Sequence, residues 1–188
     1  MLARPQRKTG NLHHGRISLP GARYWITCSA VRPTTCLITP ACGTTLISVV
    51  HSFEESADLR LLCSTVMPDH MHVLFELGHR LTVGQIIGKF KFQTREAVRF
   101  AGASWQRDCF EHRLRPEEAT NDFARYAFLN PYRAGIISRQ SDWPYWQLGR
   151  GITFDFQAML EAGRFPPAEW LSTSSENLGL QADFLGEA

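Results

Sequence analysis

The order of apolar segments along the 188-residue chain predicts an α+β fold: a ferredoxin-like, split βαβ arrangement with a central antiparallel sheet and one added helix. Three observations carry that expectation. Runs rich in β-branched and aromatic residues occur at 22–30, 59–67, 70–77 and 105–115. Helical stretches separate them at 44–56 and 82–100, and a last one follows Pro116. Strand, helix, strand, strand, helix, strand, helix is the order that such a sheet requires.

Each element has a local reason. "ARYWITCSA" (22–30) follows the Pro20-Gly21 turn and reads as the first strand. "TTLISVVHSFEES" (44–56) is expected to be helical despite its β-branched start. "LRLLCSTVM" (59–67) and "HMHVLFEL" (70–77) are two strands joined tightly through Pro68-Asp69, as in an antiparallel hairpin. In 82–100, Val83, Ile86, Ile87, Phe90 and Val98 recur at helical spacing, and Lys89, Lys91, Arg95 and Arg99 make the outer face cationic. "WQRDCFEHRLR" (105–115) is a further strand. Pro116 suits a first helical turn, with Glu117 and Glu118 at its positive end. That helix should reach about Leu129, where Asn130-Pro131 ends it or nearly so.

Composition limits what such a fold does. With 44% hydrophobic residues, the length suits one core-bearing domain, placed at 17–148, between a basic arm (1–16) and an acidic extension (149–188). Cys28, Cys36, Cys42, Cys63 and Cys109 form no CxxC pair, which argues against a disulfide framework or a four-thiolate zinc site and for a reducing cytoplasm. No apolar run approaches the roughly 20 residues of a membrane span, and the N-terminus lacks the apolar core of a signal peptide. The net charge of +2 conceals an asymmetry: Arg4, Arg7, Lys8, Arg16, Arg23 and Arg32 all precede the first acidic residue, Glu54. A basic arm of this kind either tracks phosphates or is simply a solvated terminus. The acidic extension is either solubilising or a competitor of nucleic acid for the basic surface.

His70 and His72 are the candidates for chemistry. A strand alternates its side chains, so the two imidazoles point one way and Met71 and Val73 the other. Two converging imidazoles are a metal-ligand pair or a half-exposed polar face; the stretch alone leaves both open. There is no HExxH and no third histidine at metal spacing nearby, which separates the pattern from zinc hydrolases.

Five blocks in order, "LPGARYWIT", "MPDHMHVL", "WQRDCFEHRLR", "RYAFLNPYRAGI" and "SDWPY", resemble the REP-associated tyrosine transposases, a branch of the single-tyrosine HUH nucleases. His70, Met71 and His72 satisfy the HUH signature. The resemblance implies Tyr126, on the helix before Asn-Pro, as nucleophile, with Mg²⁺ or Mn²⁺ held by His70 and His72. It also implies a polar ligand at the position of Asn130, where the family often has glutamine. The implied activity is cleavage and rejoining of single-stranded DNA at REP hairpins through a 5′-phosphotyrosine, in the cytoplasm. The alternative is a domesticated hairpin-binding protein with weak or lost catalysis. Insertion-sequence relatives are commonly dimers that exchange the tyrosine helix, whereas the REP-associated branch implies a monomer.

The remaining candidates each have two readings. Lys89, Lys91, Arg95 and Arg99 are phosphate contacts or solvated helix charge. His112 contacts phosphate or is structural, and Arg133 touches DNA or caps its helix. Trp105, Trp143 and Trp146 stack on bases or close the core.

Overall fold

The computed structural model describes residues 17–31 and 36–172. The arm residues Arg4, Arg7, Lys8 and Arg16, and the end of the acidic extension from 173, lie outside the described residues. The elements are β1 (Arg23–Val31), α1 (Pro40–Glu55), β2 (Leu59–Val66), β3 (His70–Leu77), α2 (Val83–Phe100), β4 (Ser104–Trp105), β5 (Phe110–Arg113), α3 (Thr120–Arg133), β6 (Trp146–Leu148) and α4 (Ala168–Ser172). β3 lies between β1 and β2; β4 and β5 both pair with the outer edge of β1, and β6 pairs with β2. Every pairing is antiparallel. This is the expected ferredoxin-like sheet with an added helix.

Alternation along the strands divides the core into two layers. Ile26, Leu61, Val66, Met71, Val73 and Phe75 pack under α1 and α2. Trp25, Leu62, Cys63 and Leu74 face the other way, under α3. His72 lies between Met71 and Val73 in β3, so it belongs to the α3 face.

Several boundaries differ from expectation. α1 begins at Pro40, before the β-branched stretch, because proline's fixed φ opens a helix there and Leu46, Val50 and Phe53 then form its buried stripe. Segment 105–115 divides into β4 and β5, and the Lys91 ammonium grips the carbonyls of Gln106, Arg107 and Asp108 in the loop between them. α3 starts at Thr120, not at Pro116, because the Glu118 carboxylate is drawn back to His112 and to the Arg115 N–H, which holds 116–119 as a turn.

α3 also continues through Asn130-Pro131 to Arg133. Proline forfeits one helical hydrogen bond, but Pro131 and Tyr132 are buried, and the Tyr132 hydroxyl donates to the Ser141 carbonyl. Packing outweighs the local preference. β6 was not foreseen; Gly149 after it is required, since a Cβ there would lie 1.8 Å from the Leu61 carbonyl oxygen. Nor was the packing of 149–172 onto α3, where fully buried Phe156 contacts the Phe128, Phe154 and Trp170 rings.

Candidate active site

Three strands and one helix converge on the α3 face of the sheet. The register sets Thr27 of β1 and Thr65 of β2 directly opposite His72 on either side. His70, two residues earlier on β3, projects from the same face at its rim. Its Nε2 lies 3.0 Å from Nε2 of His72. Because α3 continues past Leu129, Tyr126 and Asn130 stand one turn apart on one helical face. The Asn130 amide comes within 3.0 Å of Nε2 of His72, and the Tyr126 ring meets the His72 ring edge-on at 5.8 Å between centroids.

Each imidazole is oriented through its other nitrogen. Nδ1 of His70 donates to the Asp69 carboxylate at 2.7 Å. That hydrogen bond holds Asp69 below the usual carboxylate range, so it remains an anion that only accepts. Nδ1 of His72 is 2.9 Å from the Thr27 hydroxyl, and Trp25 stacks on the His72 ring at 4.6 Å. Burial, with the charge of His70 adding to it, pushes the His72 pKa well below the usual imidazole range and keeps the ring neutral. The two Nε2 atoms are left 3.0 Å apart, where both would be presented to a shared cation once each ring carries its hydrogen on Nδ1.

The spacing also suits the ion. Adjacent vertices of an octahedron with bonds of about 2.1 Å are about 3.0 Å apart. Both donor separations, His70 to His72 and His72 to Asn130, have that value. The Asn130 atom nearest His72 is Nδ2; a half-turn of the amide places Oδ1, a hard donor, at the same point. The side chains therefore fit a divalent ion with imidazole and oxygen ligands. No group of three or more His, Cys, Asp or Glu side chains among the described residues forms a rival site.

The other candidate residues are distributed elsewhere. His112 meets both Glu118 oxygens at 2.9 Å and stacks on Phe123. Arg133 donates to the Trp170 carbonyl. The α2 cations lie across the sheet from the histidines. Lys89 pairs with buried Asp58 at 2.7 Å, and Lys91 holds the loop before β5. Arg95 and Arg99 remain on the surface, stacked over Phe92 (65% exposed) and Phe100 (80% exposed). Trp105 donates to Thr94 and Trp143 to the Val66 carbonyl, and Trp146 packs edge-on against Phe128. Sequence reasoning missed Trp25, Thr27 and Asp69 as site residues. Asp69, beside the first histidine, was the legible one; the other two depend on strand register.

Residues 25–112 match the family model described as "Transposase IS200 like", a segment that includes both histidines and ends before Tyr126. The resemblance seen in the sequence is borne out. No curated protein matches the chain. Among solved structures, a REP-associated tyrosine transposase bound to a REP hairpin is similar at 22% identity and a TM-score of 0.58, over 82% of this chain and 88% of that one. That likeness establishes the fold. A chain from Deinococcus radiodurans, provisionally described as a transposase, aligns at 14% identity and a TM-score of 0.43 over 64% of this chain and 95% of its own.

Proposed function

We propose that this chain, similar to the IS200-like transposases over residues 25–112, is a divalent-metal-dependent single-stranded DNA endonuclease and strand transferase. Its proposed substrate is a REP-type palindromic hairpin, and its proposed intermediate a 5′-phosphotyrosine. The observation that carries the reading is that Nε2 of His70 and the amide of Asn130 each lie 3.0 Å from Nε2 of His72, beside Tyr126. The hairpin is supported by the structural neighbour, which is bound to one.

His70 and His72 through Nε2, and Asn130 through its amide oxygen, would hold Mg²⁺ or Mn²⁺, which when bound offsets charge developing on the scissile phosphate. The protein supplies the rest. The Tyr126 oxygen attacks phosphorus; its bond to phosphorus forms as the bond to the 3′ oxygen breaks. The proton lost by the tyrosine balances the one gained by the leaving oxygen, which departs as a 3′-hydroxyl. The linkage keeps the energy of the broken phosphodiester, so another 3′-hydroxyl can displace the tyrosine and rejoin strands. Since α3 packs on its own sheet, one chain supplies both nucleophile and ligands, which supports a monomer. No described helix is long and apolar enough to cross a membrane, and cytoplasmic DNA is the proposed setting.

A second reading, a hairpin-binding protein with weak or lost catalysis, is favoured by the 3% exposure of Tyr126. A labelled hairpin carrying a single-stranded flank, incubated with Mn²⁺ and run on a denaturing gel, separates the two. The transposase reading expects a covalent adduct that Tyr126→Phe abolishes while hairpin affinity stays within a few fold. Tight binding with no adduct from the unaltered chain establishes the second reading. An adduct that survives in the phenylalanine variant removes Tyr126 from its role.

A further inference from the structure

His72 is fixed by two neighbours with different powers. Trp25, stacked at 4.6 Å and 25°, holds the plane of the ring. A stacked face, however, does not distinguish the two neutral tautomers, nor a ring turned over by half a rotation. In a neutral imidazole one nitrogen carries the hydrogen and the other the lone pair, and only the tautomer with hydrogen on Nδ1 offers a lone pair on Nε2. A partner that accepts from Nδ1 therefore favours His72 as a ligand.

That partner is the Thr27 hydroxyl, 2.9 Å away, with both residues buried. We infer that Thr27 is a positioning residue for the metal site, holding the hydrogen of His72 on Nδ1 so that Nε2 is presented to the ion; the inference rests on the metal reading above. The two histidines reach the same state by different means. His70, at the rim, uses the Asp69 carboxylate, which is 47% exposed and so keeps much of its hydration. His72 lies fully inside, where a carboxylate would lose its hydration with no cation beside it to compensate. A neutral hydroxyl accepts the same hydrogen without that penalty. The register singles out Thr27, which lies opposite His72 on β1 and bonds its ring, whereas Thr65, opposite on β2, makes no hydrogen bond to it.

Thr27→Val keeps the shape and removes the acceptor; Thr27→Ser restores it. Mn²⁺ binding to the full chain without DNA, by calorimetric titration, should weaken about 10- to 100-fold in T27V, the usual effect of removing a ligand's outer partner. It should return to within about threefold in T27S, and Thr65→Val should match the unaltered chain. Nitrogen-15 spectra of the histidine rings should show His72 protonated at Nδ1 in the unaltered chain and T27S, and a tautomer mixture in T27V. T27A, which introduces no misplaced methyl, provides the same comparison should T27V fold poorly. Unaltered Mn²⁺ affinity and an unaltered tautomer in folded T27V or T27A overturn the role of Thr27. If His72→Ala also leaves Mn²⁺ binding intact, the metal reading itself fails.

Discussion

Asn130 is the residue on which the metal set turns. It stands one helical turn after Tyr126, so under the proposed function one helix delivers both the nucleophile and the third donor, and a shift of α3 would move both together. Its side chain is one methylene shorter than a glutamine, yet it reaches 3.0 Å from His72 because α3 packs directly on β2 and β3. Asn130→Ala should raise the Mn²⁺ concentration for half-maximal cleavage roughly tenfold or more, while metal-free hairpin binding changes little. Asn130→Asp should retain metal binding, since a carboxylate is also a hard oxygen donor. An alanine variant with unaltered Mn²⁺ dependence would leave the two histidines as the only protein ligands. Tyr126 has no such latitude. Its proposed role resides in one oxygen, and no other tyrosine lies within one turn of it on α3.

At the scale of elements, Lys89 and Lys91, read from the sequence as phosphate contacts or solvated helix charge, are engaged in holding secondary structure together. Lys89 on α2 reaches across to Asp58, which is buried where α1 turns into β2 and also accepts from Ser56. Burial alone would raise the Asp58 pKa; hydrogen bonds from Lys89 and Ser56 and the charges of Lys89 and Arg80 outweigh it and hold the carboxyl below its ordinary value. A folded-state pKa below the unfolded value of about 3.9 contributes stability that is present above that value and lost as pH falls through the folded one. Asp58→Asn should therefore cost about 1–3 kcal/mol at pH 7. The gap from the unaltered chain should narrow as pH falls below about 4, as measured by urea unfolding at a series of pH values. A constant gap across that range would show that Asp58 acts through packing and not through charge.

At the scale of the molecule, the sheet divides the work. One face, under α1 and α2, is largely apolar, with Ser64 and Thr94 the buried polar side chains in it, and serves stability; the other combines a second apolar cluster with the histidines and α3. Residues 149–172 complete that second cluster and belong to the folded unit, beyond the expected boundary at 148. Phe156→Ala should destabilise the protein by about 3–5 kcal/mol, the usual cost of emptying a buried aromatic site, as read by thermal or urea unfolding. A cost below about 1 kcal/mol would mean that the segment is dispensable to the core. The basic arm makes a separate expectation. Deleting residues 1–16 removes Arg4, Arg7, Lys8 and Arg16, and should flatten the log-log salt dependence of hairpin binding by roughly 0.7 per lost phosphate contact. Cleavage at saturating DNA should persist. An unaltered slope would return the arm to a solvated terminus.

What the sequence determined by itself was local: period and chemistry. His70 and His72 share a face because strands alternate, Pro68-Asp69 closes the hairpin, and the spacing of Val83, Ile86, Phe90 and Val98 forms α2. The one-turn spacing of Tyr126 and Asn130 was legible in the same way. Tertiary structure decided whatever depends on distant segments meeting. The β1–β3 register put Thr27, and not Cys28, against His72; one step of slip would have reversed the faces. The burial of Tyr132 carried α3 past Pro131, against the local preference of the residue before proline, and so placed Asn130 over the sheet. The ends of long flexible side chains were decided last: Lys89 and Arg95 both lie outside the apolar stripe of α2, yet one has a buried carboxylate at 2.7 Å and the other faces solvent. Periodicity is a property of neighbours in the chain, whereas register, helix length under packing, and the partner of a charge are set by contacts between residues far apart in it.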